Sequence, residues 1–312
     1  MYPNNKLIVN QFYKLINYSK AKKENSFKIA SYFKVGSIVT NLDYEINLDN
    51  LDKVRKITGI GDSTIEKFTA ILTNGELDEL KDSNPEFEKI DAINKLAEIH
   101  GIGTVKANEL YKNGITINNI KNHTDQLSEQ QLIGLKYNDP IHKRIPRKEI
   151  DKYKKKLTTL FAKFDPKLLF EICGSYRRGL PDSGDIDVLI TKTDFKLLDI
   201  VQYLKKSKLL IDDLTTKGNS KYMGISKVSS KAIPRRIDIR LIPYESYYYA
   251  TLYFTGNKEL NKQMRDIAKQ KNWKLNEYGL YDADNNLLSV SSEEDIFKLL
   301  KIPYLEPDKR EI

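Results

Sequence analysis

Gly174-Ser175-Tyr176-Arg177-Arg178-Gly179, followed closely by Ser183-Gly184-Asp185-Ile186-Asp187-Val188-Leu189-Ile190, is the stretch that decides how this chain is read. A glycine-bounded turn leads into an alternating segment, and alternation with period two marks a strand with one face toward a core. Asp185 and Asp187 then share one face, while Ile186, Val188 and Ile190 share the other. Two carboxylates this close repel unless a cation sits between them, and hard divalent ions such as Mg²⁺ prefer oxygen ligands. A second alternating segment, Arg236-Ile237-Asp238-Ile239-Arg240-Leu241, adds a third carboxylate, with Asp238 on the face shared by Arg236 and Arg240. One Asp-x-Asp alone is more often a solvated strand face. The full string with a third aspartate on an apolar strand points instead to a two-metal phosphoryl-transfer site. In such a site one ion lowers the pKa of the attacking hydroxyl and the other binds the triphosphate. Gly174 and Ser175 open a turn whose N–H groups and hydroxyl suit phosphate oxygens, and Arg178 offers a guanidinium.

Upstream of this segment the pattern is helical, and one unit occurs twice. Ile57-Thr58-Gly59-Ile60-Gly61 precedes a helical run from Asp62 to Thr73 that stops at Gly75. Ile99-His100-Gly101-Ile102-Gly103 precedes a run from Thr104 to Lys112 that stops at Gly114. In the first run Ile65, Phe68 and Leu72 form an apolar stripe. A Gly-x-Gly turn entering a helix presents backbone N–H groups beside the positive end of the helix dipole, which suits a phosphate. A lone Gly-x-Gly is usually an ordinary tight turn. Two copies with matching isoleucines point to a grip on a nucleic-acid backbone at two places, without sequence readout. From about Leu168 strands take over, so the fold class is α+β: a mostly helical first half, then mixed helix and sheet.

Composition fits a polyanion partner. The 312 residues carry a net charge of +9, and a surplus of that size favours nucleic acid. The charge is uneven: residues 1–42 carry seven lysines against Glu24, whereas residues 43–90 carry six basic and twelve acidic side chains. Cys173 is the single cysteine, which excludes a disulfide framework, and His100, His123 and His142 lack zinc-ligand spacing. With no apolar run long enough to span a membrane and no signal peptide, the protein is expected to be intracellular and soluble. That means the nucleus in a cellular eukaryote, or the cytoplasm or virion if viral. The length suggests two or three domains or subdomains.

At these residues the chain resembles the family X DNA polymerases. The likeness extends through Ile133-Gly134-Leu135-Lys136-Tyr137, Lys143-Arg144-Ile145-Pro146-Arg147 and the two aspartate strings. It continues in Leu252-Tyr253-Phe254-Thr255-Gly256, Asn276-Glu277-Tyr278 and Asp295-Ile296-Phe297, so it covers nearly the whole chain. The resemblance implies a helical lyase-type domain with the first helix-hairpin-helix at 1–83 and a duplex-binding subdomain with the second at 84–146. A nucleotidyltransferase-type palm sheet then spans 147–244, and a nucleotide-selection subdomain 245–312. It implies gap-filling DNA synthesis in base excision repair on gapped or nicked duplex DNA with deoxynucleoside triphosphates, by a monomer.

The resemblance also implies roles residue by residue. Asp185, Asp187 and Asp238 hold two Mg²⁺ ions, for which Mn²⁺ can substitute. Arg144, Ser175, Arg178, Ser183 and Gly184 lie near the triphosphate. Tyr253, Phe254 and Gly256 lie at the sugar, where the two aromatic side chains crowd a ribose 2′-hydroxyl. Asn261 and Arg265 flank the minor-groove side of the new pair, and Lys262 lies by the template. Lys23, Gly59, Gly61, Gly101, Gly103 and Arg236 contact DNA, and the carbonyls of Ile57, Ile60, Ile99 and Ile102 offer sites for Na⁺ or K⁺. Lys67 stands at the family's Schiff-base lysine, whose amine attacks C1′ of an abasic sugar and opens a β-elimination. Its plain alternative is a surface helix lysine.

Four positions depart from the family pattern: Phe27 replaces a tyrosine, Ser63 and Glu79 replace lysines, and Lys258 replaces an aspartate. The stretch between Phe27 and Ile57 is also longer than usual. The first three departures imply weaker 5′-phosphate binding. Three other readings remain at this stage: a nucleotidyltransferase acting on something other than DNA, a non-catalytic DNA-binding module, and a template-independent transferase, for which no obvious extra palm loop speaks. The paired hairpins weigh against the first, and the three facing carboxylates against the second.

Overall fold

A computed structural model describes residues 1–81, 84–191, 196–215 and 218–311. The chain forms two compact units, Met1–Gln126 and Leu127–Ile312. None of the described helices is long and apolar enough to cross a membrane.

The first unit is helical: α1 (Pro3–Ala21), α2 (Ser26–Thr40), α3 (Leu51–Arg55), α4 (Asp62–Asn74), α5 (Pro85–Ala97) and α6 (Thr104–Lys112). Phe12 of α1 and Phe68 of α4 meet edge to face with ring centroids 5.6 Å apart, inside a core that includes Val39, Ile46 and Val54. The long segment after Phe27 becomes α2 and a strap back toward α3. Buried Asn5 pins that strap, donating to the Tyr44 carbonyl at 2.9 Å and accepting from Ile46 N–H at 2.8 Å. The apolar stripe of α4 packs on this core: Ile65 and Phe68 are buried and Leu72 is partly buried against it, with Ile71 as a further buried residue.

The second unit begins with α7 (Glu129–Lys136) and α8 (Asn138–His142), then β1 (Ile145–Pro146) and α9 (Arg147–Phe164). Next come β2 (Phe170–Ile172), α10 (Gly174–Arg177), β3 (Asp182–Ser183) and β4 (Ile186–Thr191). The run α11 (Leu197–Lys206), β5 (Leu210–Asp213), β6 (Lys221–Ser226) and β7 (Arg235–Ile242) completes a five-stranded sheet of order β2-β4-β7-β6-β5. The chain ends with α12 (Tyr247–Thr255), α13 (Lys258–Gln270), a hairpin of β8 (Lys274–Asn276) and β9 (Gly279–Tyr281), and α14 (Glu293–Leu300).

The sheet follows from its side-chain alternation. Ile186, Val188 and Ile190 of β4 and Ile237, Ile239 and Leu241 of β7 pack against Ile150, Tyr153, Leu157 and Phe161 of α9 and the apolar face of α11. On the opposite face Leu189 and Ile242 lie under Ala250 of α12, but only toward the carboxyl ends of the two strands. The amino-terminal ends, which carry the aspartates, are left open. β4 and β7 run parallel, with Asp187 directly opposite Asp238.

Candidate active site

The three aspartates converge. One oxygen from each of Asp185, Asp187 and Asp238 can be chosen so that all three lie within 4.8 Å of one another. Asp185 sits one residue ahead of β4, and Asp187 and Asp238 face each other across the parallel pair. Burial, and then the charge of Asp238, push the Asp187 carboxyl up to about 6. Arg236 offsets part of the excess charge, pairing with Asp185 and lying 3.4 Å from Asp238. A half-buried set of carboxylate oxygens at this spacing is a donor set for a hard divalent cation.

Gly174 makes room for this cluster. Its φ is +59°, and a Cβ there would lie 2.5 Å from Asp187 Oδ2. A side chain would be strained and would also displace the carboxylate. Gly174→Ala is expected to cost about 1–3 kcal/mol, read as a lower urea midpoint. Gly36→Ala is the control, because Gly36 lies inside α2 and nothing lies within 4 Å of the added carbon. Equal midpoints for the two variants would remove the close-packing argument.

Beside the aspartates opens a cleft of about 690 Å³ lined by Arg144, Ser175, Arg178, Gly184, Tyr253, Phe254, Gly256, Asn261 and Arg265 among others. All of these were singled out in the sequence. Tyr253 and Phe254 lie in the last turn of α12, which Gly256 ends, and Asn261 of α13 donates to the Tyr253 carbonyl at 2.7 Å, tying the two helices together there. Asn257 caps α13, its side chain accepting from Leu260 N–H at 2.9 Å. Lys258, Asn261 and Arg265 project from α13 into the lining, as helical spacing requires.

The remaining candidates make contacts of their own. Ser183 is 2% exposed and accepts a 2.8 Å hydrogen bond from Ser175, so it meets the cleft only through Ser175. Lys262 is exposed on α13 outside the cleft lining. Arg144 is engaged with Asp182 at 2.5 Å, and Arg178 donates to the Thr255 carbonyl at 2.6 Å while pairing with Glu311. Asp182, Thr255 and Glu311 were not legible as partners, because each contact joins residues 38 or more positions apart.

In the first unit both hairpins are open at the surface. Gly59 (φ +106°) and Gly101 (φ +85°) take the left-handed turn, whereas Gly61 and Gly103 are extended N-caps of α4 and α6. The need for positive φ therefore falls on the first glycine of each pair alone. The Ile57 carbonyl accepts from Ile60 at 3.0 Å and the Ile99 carbonyl from Ile102 at 2.9 Å, so the two turns are built alike. Lys34 lies against Gly59, close enough that an added Cβ would meet its Cε at 2.7 Å. The sequence drew attention to Lys34 only as part of the basic segment. Lys23 is exposed in the turn after α1, and Lys67 Nζ sits 3.1 Å from Glu79 Oε1.

Comparison with known proteins accounts for nearly all of the chain. A helix-hairpin-helix domain matches residues 3–77, and the fingers domain of DNA polymerase lambda matches 94–142. The DNA polymerase beta palm matches 144–244 and the DNA polymerase beta thumb 250–311. DNA polymerase lambda of Arabidopsis thaliana is 30% identical over 99% of this chain and 62% of its own length. That of Rattus norvegicus is 34% identical over 82% of the chain and 48% of its own length. DNA nucleotidylexotransferase of Xenopus laevis is 26% identical over 92% of the chain and 64% of its own length. The chain thus spans between about half and just under two thirds of these relatives.

Proposed function

Since the chain belongs to the family X DNA polymerases and resembles DNA polymerase beta, we propose that it fills short gaps in duplex DNA during base excision repair. It would do so by DNA-directed nucleotidyl transfer, and would remove a 5′-deoxyribose phosphate through Lys67. The observation that carries the polymerase half is the trio Asp185, Asp187 and Asp238, the first two of which line a cleft together with Arg178, the Tyr253–Gly256 segment and Asn261.

Within this reading the three aspartates hold Mg²⁺, or Mn²⁺ in its place, and the bound ions supply charge neutralisation and activation of the primer hydroxyl. Arg236 keeps Asp185 and Asp238 in register from the flank of the site. Arg144, Ser175, Arg178 and Gly184 receive the triphosphate through charge-assisted and backbone hydrogen bonds, with Ser183 holding Ser175. Tyr253 and Phe254 close on the sugar at Gly256, and Asn261 and Arg265 face the new base pair, with Lys262 toward the template. Gly59, Gly61, Gly101 and Gly103 offer backbone N–H groups to DNA phosphates, with Lys23 near the 5′ end. The carbonyls of Ile57, Ile60, Ile99 and Ile102 are candidates for Na⁺ or K⁺.

We assign residues 1–83 to 5′-end binding, 84–146 to the duplex grip, 147–244 to catalysis and 245–312 to nucleotide selection. A nuclear site of action in a cellular eukaryote, and a cytoplasmic or virion site for a virus, follow from this role. Extension across a one-nucleotide gap tests the synthesis activity, and borohydride trapping of an abasic 5′ end tests the lyase.

Lys258 adds a cation to the nucleotide side of the cleft. Lys258→Asp is expected to weaken nucleotide binding by a few-fold, about 1 kcal/mol or less for an exposed charge. Charge does not distinguish bases, so the loss is equal for matched and mismatched nucleotides. Single-turnover kinetics measure it; an unchanged apparent affinity would mean that Lys258 serves solvent alone.

A further inference from the structure

We propose that Glu79 is the proton acceptor for the reaction of Lys67 with an abasic sugar, an inference that rests on the lyase reading of Lys67. The family pattern has a lysine at position 79, and its replacement by a carboxylate reads at first as the loss of a phosphate contact. The geometry points to a gain. After α4 stops at Gly75 the chain folds back into a short 3₁₀ turn, Asp78–Leu80, anchored by buried Leu77 and Leu80. Asn84 braces the turn by donating to the Glu79 carbonyl at 3.1 Å. The anchored turn delivers Glu79 Oε1 to 3.1 Å from Lys67 Nζ. Both side chains keep an open side, with 20% of Lys67 and 38% of Glu79 exposed. The contact is part-buried and has solvent on one side, so the carboxylate is held on the amine while both remain reachable.

The reaction needs a base twice. Lys67 reacts as the neutral amine, so its ammonium first passes a proton to Glu79. Nζ then bonds to C1′ of the ring-opened sugar, and the resulting carbinolamine loses water, taking that proton back from Glu79 and leaving an iminium. Glu79 next accepts the C2′ proton. The released electron pair forms the C1′–C2′ double bond of an enamine. The enamine expels the phosphate ester from C3′, with breakage of the C3′–O bond, and the proton leaves Glu79 for solvent. Water finally hydrolyses the conjugated iminium to the unsaturated aldehyde and returns Lys67 as its ammonium. Atoms and electrons balance without an oxidant or a reductant.

The test uses the full chain and a gapped duplex carrying a 5′-deoxyribose phosphate. Borohydride-trapped adduct and released strand are followed separately over time and pH. The parent should form adduct, and Lys67→Ala should not. Glu79→Gln keeps size and hydrogen bonding but is not a base. It should release strand about 100-fold more slowly, within the range for loss of a general base, with adduct that persists longer and a flattened acidic limb of the pH profile. Glu79→Lys should bind the 5′ end more tightly yet release no faster than Glu79→Gln. Strand release by Glu79→Gln at or above the parental rate, with the acidic limb intact, would overturn the assignment while leaving Lys67 in place. No adduct with the parent, or undiminished adduct with Lys67→Ala, would remove the Lys67 reading and the Glu79 assignment with it.

Discussion

Asp238→Ala is expected to abolish nucleotide addition, by at least about a thousandfold, the scale reached when a group that stabilises transition-state charge is removed. Binding of gapped DNA should stay within a few-fold of the parent. The reasoning is positional. Asp238 lies directly opposite Asp187 across two parallel strands, and the three carboxylates present oxygens within 4.8 Å of one another. Removing one leaves an incomplete oxygen cage and frees Arg236 to pair with Asp185 alone. The hairpin glycines lie in the other unit and do not depend on this residue. Single-turnover extension and a DNA-binding isotherm on the same preparation separate the two effects. Near-normal extension by the variant would rule out the assigned site, and equal loss of DNA binding would indicate a folding defect instead.

Glu293→Ala is expected to destabilise the second unit by about 3–5 kcal/mol, the cost of stranding buried charge. Glu293, 7% exposed, accepts from Arg177 at 2.5 Å and from Arg310 at 2.6 Å, and Arg310 is fully buried. Truncation leaves two guanidinium groups facing each other around a void. Arg177 also donates to Thr255 at 2.8 Å, one residue before Gly256 of the cleft. The variant should therefore bind nucleotide less well even where it remains folded. Urea unfolding measures the stability, and Glu293→Gln should lose less because it keeps an acceptor. A midpoint within experimental error of the parent would show that Arg177 and Arg310 find other partners.

Much of this architecture could be read from the chain. Alternation placed Asp185, Asp187 and Asp238 on one face because a strand's side chains have a period of two whatever packs around it. The glycine pairs were legible for a similar reason: a tight turn into a helix has few chemical solutions, and Gly59 and Gly101 repeat the same one. The stripe on α4 was legible as Ile65, Phe68 and Leu72, but the buried Ile71 beside it was not, since the packing partners of a helix decide how wide its buried face becomes. Contacts that close across long stretches of chain carried no local signal. Arg178 meets Glu311, Arg144 meets Asp182, and Lys67 meets Glu79 only because the α4 C-terminus folds back. The resemblance placed Ser183 near the triphosphate; it is buried, pairs with Ile145 across β3 and β1, and accepts from Ser175.

The most direct measurement of the central claim is single-turnover extension of a primer that bounds a one-nucleotide gap, with one templated deoxynucleoside triphosphate, with and without Mg²⁺. The account predicts addition of one templated nucleotide that requires Mg²⁺ and is lost in Asp238→Ala. Undiminished addition by Asp238→Ala, or no addition by the parent with Mg²⁺ and bound gapped DNA, would contradict it.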